Sequence, residues 1–369
     1  MLRKETQDIA PPPSGSLAAQ ASLKDRIRQR RPGHLPLSAY VSGWVQALIT
    51  LAVFLGSLWL LWGETRPVLV LLESAVFGWS WFALLMVGHD AMHRAFAPWQ
   101  WVNEVVAFMT LDCVLFSRAS WLQGHHVIHH AQPHSDRDEM YLRGDSLAED
   151  MWNLLRMVLG YLRSDVARLI ERPTWHEWLG MAVRIGLFWS LLPVALLPAI
   201  VFLLFFGNYL GLLSHSLPVA RRSADQVIRQ LRSTWDLFPE SFLASLLAGG
   251  LNAHATHHVF PSLPRGAQRW GARVLREEAG HEYRSVQSLA GIWTLFRLRH
   301  FSTAEIAPIE AIGAGRIQLG VAAAYYAMED DARTAVEQRV GERRLNPTNW
   351  MFPERRLGDR RAGSVRVAA

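Results

Sequence analysis

The chain is 369 residues long, with a formal net charge of +6 and a single cysteine, Cys113. One cysteine excludes an intramolecular disulfide framework and any cysteine-built zinc or iron–sulfur site, so a bound metal would be held by histidine and oxygen donors. Mean hydropathy is only +0.07 although 50% of the residues are hydrophobic, because the apolar residues are gathered into long blocks separated by polar segments.

In chain order, residues 1–35 read as a disordered basic leader. APPPSGS at Ala10–Ser16 offers too little apolar surface to fold, and the leader lacks the charged start, apolar core and cleavage site of a secretory signal. The basic run KDRIRQRR, Lys24–Arg31, precedes a first apolar block from Leu37 to Trp62. A second block runs from Val68 to Val87, interrupted only by Glu73, and a third from Trp178 to Ser216. A membrane-crossing helix needs roughly 20 residues, so the first two blocks predict one span each. The third, broken near Pro193 and Pro198, is long enough for two, since proline disrupts the helical ladder and favours a turn. The expected fold class is all-α, an integral membrane protein with four transmembrane helices in two hairpins and a cytoplasmic helical cap.

Two further apolar stretches are not expected to cross. Val102–Trp121 contains Asp112 and Arg118 and reads as re-entrant or interfacial, and Phe242–Leu251 is too short. The basic run before the first span, set against the short GETR link after it, places both termini in the cytoplasm, in what is expected to be a bacterial inner membrane. A soluble alternative would have to bury these blocks on every face. Membrane lipids are the expected partners of the basic segments, and nucleic acid is not, since no binding motif is present. Trp99, Trp101 and Trp121 are expected at the lipid headgroup level.

Three histidine clusters fall on the cytoplasmic side of this map. His89 and His93 stand in HDAMH at the inner end of the second span; His125, His126, His129 and His130 form HHVIHH between the hairpins; His254, His257 and His258 form HATHH after the fourth span. Histidine is the commonest metal-binding side chain, and residues three or four apart on a helix share a face. A lone HxxxH is more often a packing accident than a site, but two clusters repeating the HxxHH spacing are not the pattern of a solvated surface. His215, at the inner end of the fourth span, is a further candidate, because an ionisable residue there is a functional candidate by default; a structural histidine is the alternative. Asp90, Asp136 and Asp138 are placed to accept the second N–H of ligating imidazoles, or else are exposed acids or helix caps. His134 stands between the same two readings.

The pattern HxxxH, HxxHH, HxxHH on hairpin pairs resembles the membrane fatty acid desaturase superfamily, and NAHATHHVFPSLP, Asn252–Pro264, is similar to the third histidine box of acyl desaturases. The resemblance runs from Pro36 to Arg276. Alkene-forming fatty acid decarboxylases, alkane hydroxylases and carotenoid ketolases and hydroxylases share the wider pattern. The resemblance implies two iron ions (Fe2+/Fe3+) with O2 as co-substrate, and ligands at nine positions: His89, His93, His126, His129, His130, His215, His254, His257 and His258. Two departures stand out. His125 is an extra histidine that could replace His126 beside His129 and His130, and Gly211 occupies the place where the family often has a water-binding Asn, with Asn208 nearly two helical turns from His215.

The implied reaction is the O2-dependent removal of hydrogens from a fatty acyl chain to leave a double bond. Ordinary side-chain acids and bases cannot break such C–H bonds, so a metal cofactor is required. Oxidative decarboxylation to a terminal alkene and hydroxylation or ketolation of a lipid or carotenoid are the alternatives, since the outcome turns on sub-ångström placement of one C–H bond. A membrane metal transporter or sensor is the competing class, but it would favour ligands near the bilayer midplane. Electrons are expected from a separate donor such as ferredoxin and its reductase, as no haem-binding His-Pro-Gly-Gly and no dinucleotide fingerprint is present. The expected division is leader 1–35, di-iron domain 36–300 and a cytoplasmic basic extension 301–369, which touches anionic lipid or is a solvated tail.

Overall fold

The first two apolar blocks form the longest apolar helices. After a short amphipathic helix α1 (Leu23–Arg30) come α2 (Ser38–Leu61) and α3 (Pro67–Met92), of 24 and 26 residues. At about 1.5 Å per residue each is longer than the roughly 30 Å hydrocarbon core of a bilayer. Their link turns at Gly63, whose positive φ of 79° suits a residue without Cβ. Glu64 then accepts from the backbone N–H of Thr65 and Arg66 and from the Arg66 guanidinium, and Pro67 enters the first turn of α3 with φ already set. This is a computed structural model, and it describes residues 23–30, 32–131, 147–171, 174–190, 193–207, 209 and 226–292.

α3 is the central helix. Phe77, Trp81, Leu84 and Leu85 are buried on it, whereas α2 turns Leu48 (67% exposed) and Trp59 (75%) outward. α2, α4 (Gln100–Ala107) and α8 (Pro193–Phe206) all pack on α3. The α8 contact depends on Gly78, where an added Cβ would lie 2.6 Å from Phe202 Cβ and 2.8 Å from the Leu203 nitrogen. Such small-residue contacts let backbones approach where apolar burial alone gives no preference between lipid and protein.

The third apolar block is divided between two shorter helices. It forms α7 (Trp175–Ser190) and α8, of 16 and 14 residues, so among the described residues two helices, not four, are long and apolar enough to cross a membrane. Pro193 opens α8, and Pro198 lies inside that helix rather than ending it. A proline removes one ladder bond, which packing of the helix against its neighbours can tolerate.

Val102–Trp121 is not one crossing. α4 passes into a π-helical turn, Phe108–Asp112, and the chain then re-forms as the single turn α5 (Arg118–Trp121). The long amphipathic helix α6 (Leu147–Glu171) buries Leu154, Met157 and Tyr161 and sends Asp165 into the join. Asp165 accepts from the Ser117 backbone N–H (2.7 Å), the Ser120 hydroxyl (2.6 Å) and Arg184 Nη1 of α7 (2.7 Å), tying three elements with one fully satisfied buried carboxylate.

The remaining helices form a cap: α9 (Gln226–Ser233), α10 (Phe242–Leu247), α11 (His254–Val259) and α12 (Gln268–Ala279). A two-residue strand β1 (Asp236–Leu237) pairs in parallel with β2 (Ser285–Val286). A second apolar cluster joins Ile27 of α1 to Leu231, Phe260 and Leu275. His134, Asp136, Asp138, Asn208, Gly211 and His215 lie outside the described residues, as does the expected extension 301–369.

Candidate metal centre

The three histidine boxes arrive from three different kinds of backbone. His89 lies in the last turn of α3 and His93 caps it, its N–H bonding to the His89 carbonyl at 3.1 Å, which brings the two rings to 4.8 Å. The second box is wound as a π-helix, Leu122–His129, in which the His130 N–H reaches the His125 carbonyl five residues back (3.0 Å). π-turns are rare and concentrate at functional sites. The third box is α11 itself. Asp236 of β1 caps that helix from outside, its Oδ1 accepting the Thr256 N–H (3.1 Å) and its Oδ2 the Thr256 and Tyr283 hydroxyls.

These elements converge at the end of α3. One ligand nitrogen from each of His89, His93, His125, His130 and His257 lies within 4.8 Å of the others, and His129, His254 and His258 form a second such group. The Nε2 atoms of His130 and His125 are 3.1 Å apart, those of His129 and His258 3.1 Å, and those of His258 and His254 3.0 Å. Nitrogens about 2.1 Å from one ion and at right angles to each other are separated by roughly 3 Å, so the spacing suits imidazoles around metal. Moreover, the Nε2 atoms of His89, His93 and His126 are buried without a hydrogen-bond partner among the described residues. Each such orphan costs about 1–3 kcal/mol, a penalty that a bound cation would remove. By donor chemistry and by these orphaned nitrogens, the residues present fit a metal centre with all-imidazole ligation.

The π-helical winding decides how the second box is presented. His125 enters the five-histidine group, while His126 stands outside it, stacked on the His93 ring at 3.9 Å. Trp121 also departs from expectation. It is 3% exposed and stacks on His125 at 4.5 Å, whereas Trp99 and Trp101 are exposed as expected. Gly124 leaves room for Tyr161 of α6 against the same winding.

Burial favours the neutral form of four of these imidazoles. The pKa values of His125, His130 and His257 are pushed well below the usual 6.5, first by desolvation and then by neighbouring imidazoles, and that of His126 falls to about 3 for the same reasons. Neutral imidazole is the form that binds a metal. Asp236 is shifted the other way, to about 6, by burial that its hydrogen bonds to Thr256 and Tyr283 only partly offset.

Asp90 is the one expected outer partner within the described residues. Its Oδ1 lies 3.1 Å from His89 Nδ1, so the carboxylate accepts that N–H and leaves Nε2 with the free lone pair. Its Oδ2 takes Arg265 Nε at 2.5 Å. Arg265, 7% exposed, also donates to Gln46 Oε1 of α2 (2.7 Å), the Gly249 carbonyl (2.7 Å) and the Met86 carbonyl of α3 (3.2 Å). One guanidinium thus joins α2, α3 and the cap behind the first box. Neither Arg265 nor Asp236 is marked by any histidine-type spacing; the one signal is a basic residue directly after Pro264 of the third box.

Beside the centre lies a cavity of about 410 Å³. His93, His126, His130 and His258 form one side of it, Val227, Phe260 and other apolar groups another, and Lys24 and Arg28 of α1 a third.

A family profile described as fatty acid desaturase matches residues 64–290. Among curated proteins, the chain is 24% identical over 269 residues to an acyl-lipid (9-3)-desaturase of Physcomitrium patens, covering 60% of this chain and 51% of that protein. It is 24% identical over 273 residues to an sn-1 oleoyl-lipid 12-desaturase of Picosynechococcus sp., covering 62% and 76%. To an sn-1 linoleoyl-lipid 6-desaturase of Arthrospira platensis it is 22% identical over 281 residues, covering 61% and 73%. The chain therefore spans about half the length of the first of these relatives and about three quarters of the other two. With more than half of its length matched by the profile and three histidine boxes gathered at one place, the chain belongs to the membrane fatty acid desaturase superfamily.

Proposed function

We propose that this protein uses two iron ions and O2 to introduce a carbon–carbon double bond into a fatty acyl chain. The observation that carries the reading is the pair of convergent histidine groups, five and three residues, at the C-terminal end of a membrane-length helix. The relatives' names, all acyl-lipid desaturases in the three comparisons above, support an acyl chain as substrate.

The proposed ligands are His89, His93, His126, His129, His130, His254, His257 and His258, with His125 in the same group and His215 completing the set. When bound, iron supplies the oxidising power toward O2 that no side chain has. In the overall balance two hydrogens leave neighbouring carbons, and O2 becomes two waters with two electrons and two protons from the substrate, two electrons from a separate donor such as ferredoxin and two protons from solvent. The chain's own residues do the rest. Asp90 holds His89 in one tautomer, Arg265 holds Asp90, and burial disfavours protonation of His125, His130 and His257. Trp121 and the apolar cluster beneath it exclude water from the side facing the helices.

Four spans, with α7 and α8 as the core of the second hairpin, both termini cytoplasmic and a bacterial inner-membrane location, belong to the same proposal. So do a leader at 1–35, the catalytic domain at 36–300 and a basic extension at 301–369.

Expression in a host with simple lipids, followed by mass analysis of total fatty acids and headspace hydrocarbons, tests the reaction. New double bonds are expected. Terminal alkenes or hydroxy acids would replace desaturation by decarboxylation or hydroxylation. Metal analysis giving one zinc and no iron would remove the oxidase reading altogether.

A further inference from the structure

Helix α1 divides its cations between two faces. Arg26 and Arg30, four residues apart, pair with Glu277 and Glu278 of α12 at 2.6–3.3 Å, and Ile27 is 3% exposed in the apolar cluster of the cap. These contacts fix the rotation of the helix. They leave Lys24 and Arg28, also four apart and so on one face, against the cavity that ends on the histidines. Unlike Arg26 and Arg30, neither makes a hydrogen bond or ion pair among the described residues. Lys24 is half-buried and Arg28 exposed, so both reach the solvent side of the cavity, whereas His130 and His258 in the same lining are buried.

The cavity is therefore amphiphilic. Its lining carries two cations that have no partner among the described residues, the apolar side chains of Val227, Val259 and Phe260, and four histidines of the centre. Its volume of about 410 Å³ falls within the range of small-molecule sites. A guanidinium and an ammonium about 6 Å apart at their Cβ atoms suit a single oxyanion group, the guanidinium by a forked contact and the ammonium as a point charge.

We propose that Lys24 and Arg28 bind the anionic head, a carboxylate or phosphate, of an amphiphilic substrate whose apolar part enters the cavity toward the histidines. This rests on reading the centre as the site of acyl-chain oxidation and adds how the substrate is held. A concave position beside the centre favours a small oxyanion over an acidic protein surface.

The test is a binding measurement, independent of turnover. Full-length, iron-loaded protein in an uncharged detergent is exposed to tritiated hexadecanoate, methyl hexadecanoate and hexadecyl phosphate in a scintillation proximity assay. The native protein should bind at least one charged ligand about tenfold more tightly than the ester, as one charge-assisted contact allows. The double variant Lys24→Gln/Arg28→Gln should bring all three within about twofold while keeping iron content and ester affinity, and Lys24→Arg/Arg28→Lys should restore the preference. Carboxylate favoured over phosphate assigns a free acid, and the reverse a phosphate-headed lipid. If the double variant loses iron, the single Arg28→Gln variant is read instead, with a loss of at least about threefold expected. The proposal is overturned if native protein shows no preference for charge, or if the variants retain it. It is equally overturned if they slow only reduction by an acidic ferredoxin. Absence of iron or of oxidised products would count against the oxidase reading and leave the charge preference measurable.

Discussion

The apolar bundle around α3 and the polar cap around α11 are held together by different physics. In the bundle, helices meet through shape: Gly78 admits the α8 backbone, Phe54 stacks on Phe77 at a ring-centroid distance of 5.0 Å, and Phe77 meets Trp81 at a tilt at 5.4 Å. In the cap, buried polar groups carry the geometry, Asp236 beneath the third box and Arg265 behind the first. The difference follows from solvent. Helices in lipid gain little from burying apolar surface and associate by close packing, whereas a network of satisfied polar groups fixes one arrangement of side chains and not its neighbours. A metal centre needs the second kind of order, because its ligands must stay in place when the metal is absent.

The comparison breaks most sharply at the ligands. His257→Ala, which leaves both scaffolds intact, should abolish turnover and lower iron content, read by metal analysis and product formation. Full iron and activity in this variant would remove the third box from the centre. Next is Arg265→Ala. It strips the cation from buried Asp90 and is expected to cost about 3–5 kcal/mol of stability and to weaken metal binding about 10- to 100-fold, measured by unfolding in detergent and by metal competition.

Asp236 gives a pH signature. Its pKa is about 6 in the folded chain against an ordinary value near 3.8, so between those values the folded state holds the extra proton. Stability from this residue is therefore lost as pH rises from about 4 to 6, by roughly 3 kcal/mol in all. The buried histidines act with the opposite sign. Held below 6.5, they leave proton uptake to the unfolded chain, so their contribution is lost as pH falls below about 6.5. Unfolding of native protein and Asp236→Asn from pH 4 to 8 separates the two, since the variant should show only the histidine slope.

A smaller effect is expected in the bundle. Gly78→Val drives a side chain into α8 and should cost about 1–3 kcal/mol in unfolding experiments while leaving metal affinity unchanged. A change in metal affinity would mean that the two regions are not mechanically separate. His176→Ala, on exposed α7 surface away from the centre, should alter neither stability nor iron content beyond error.

Much of this was legible in the sequence, for reasons that differ residue by residue. α2 and α3 announce themselves because each is a long, predominantly apolar run with few charged residues, and a run of that length has few other uses. His89, His93, His254, His257 and His258 were legible because ligands on one helix must recur at helical spacing. Pro198 reads as a break because the packing that accommodates a proline is not visible in the sequence, yet it lies inside α8. Trp121 was assigned to the headgroup level because its partner, the His125 ring, lies across a turn whose winding no composition rule predicts.

By itself, then, the sequence determined which donor atoms are available and that they recur in three boxes, because those properties live in residue type and local spacing. Only the tertiary structure decided that the second box winds as a π-helix and brings His125 into the five-histidine group. It also supplied Arg265 and Asp236 from distant positions, and turned Lys24 and Arg28 toward the centre while Arg26 and Arg30 were taken by α12. Each of those outcomes depends on contacts between residues far apart along the chain, whose partners are chosen by packing and by the need to satisfy buried charge.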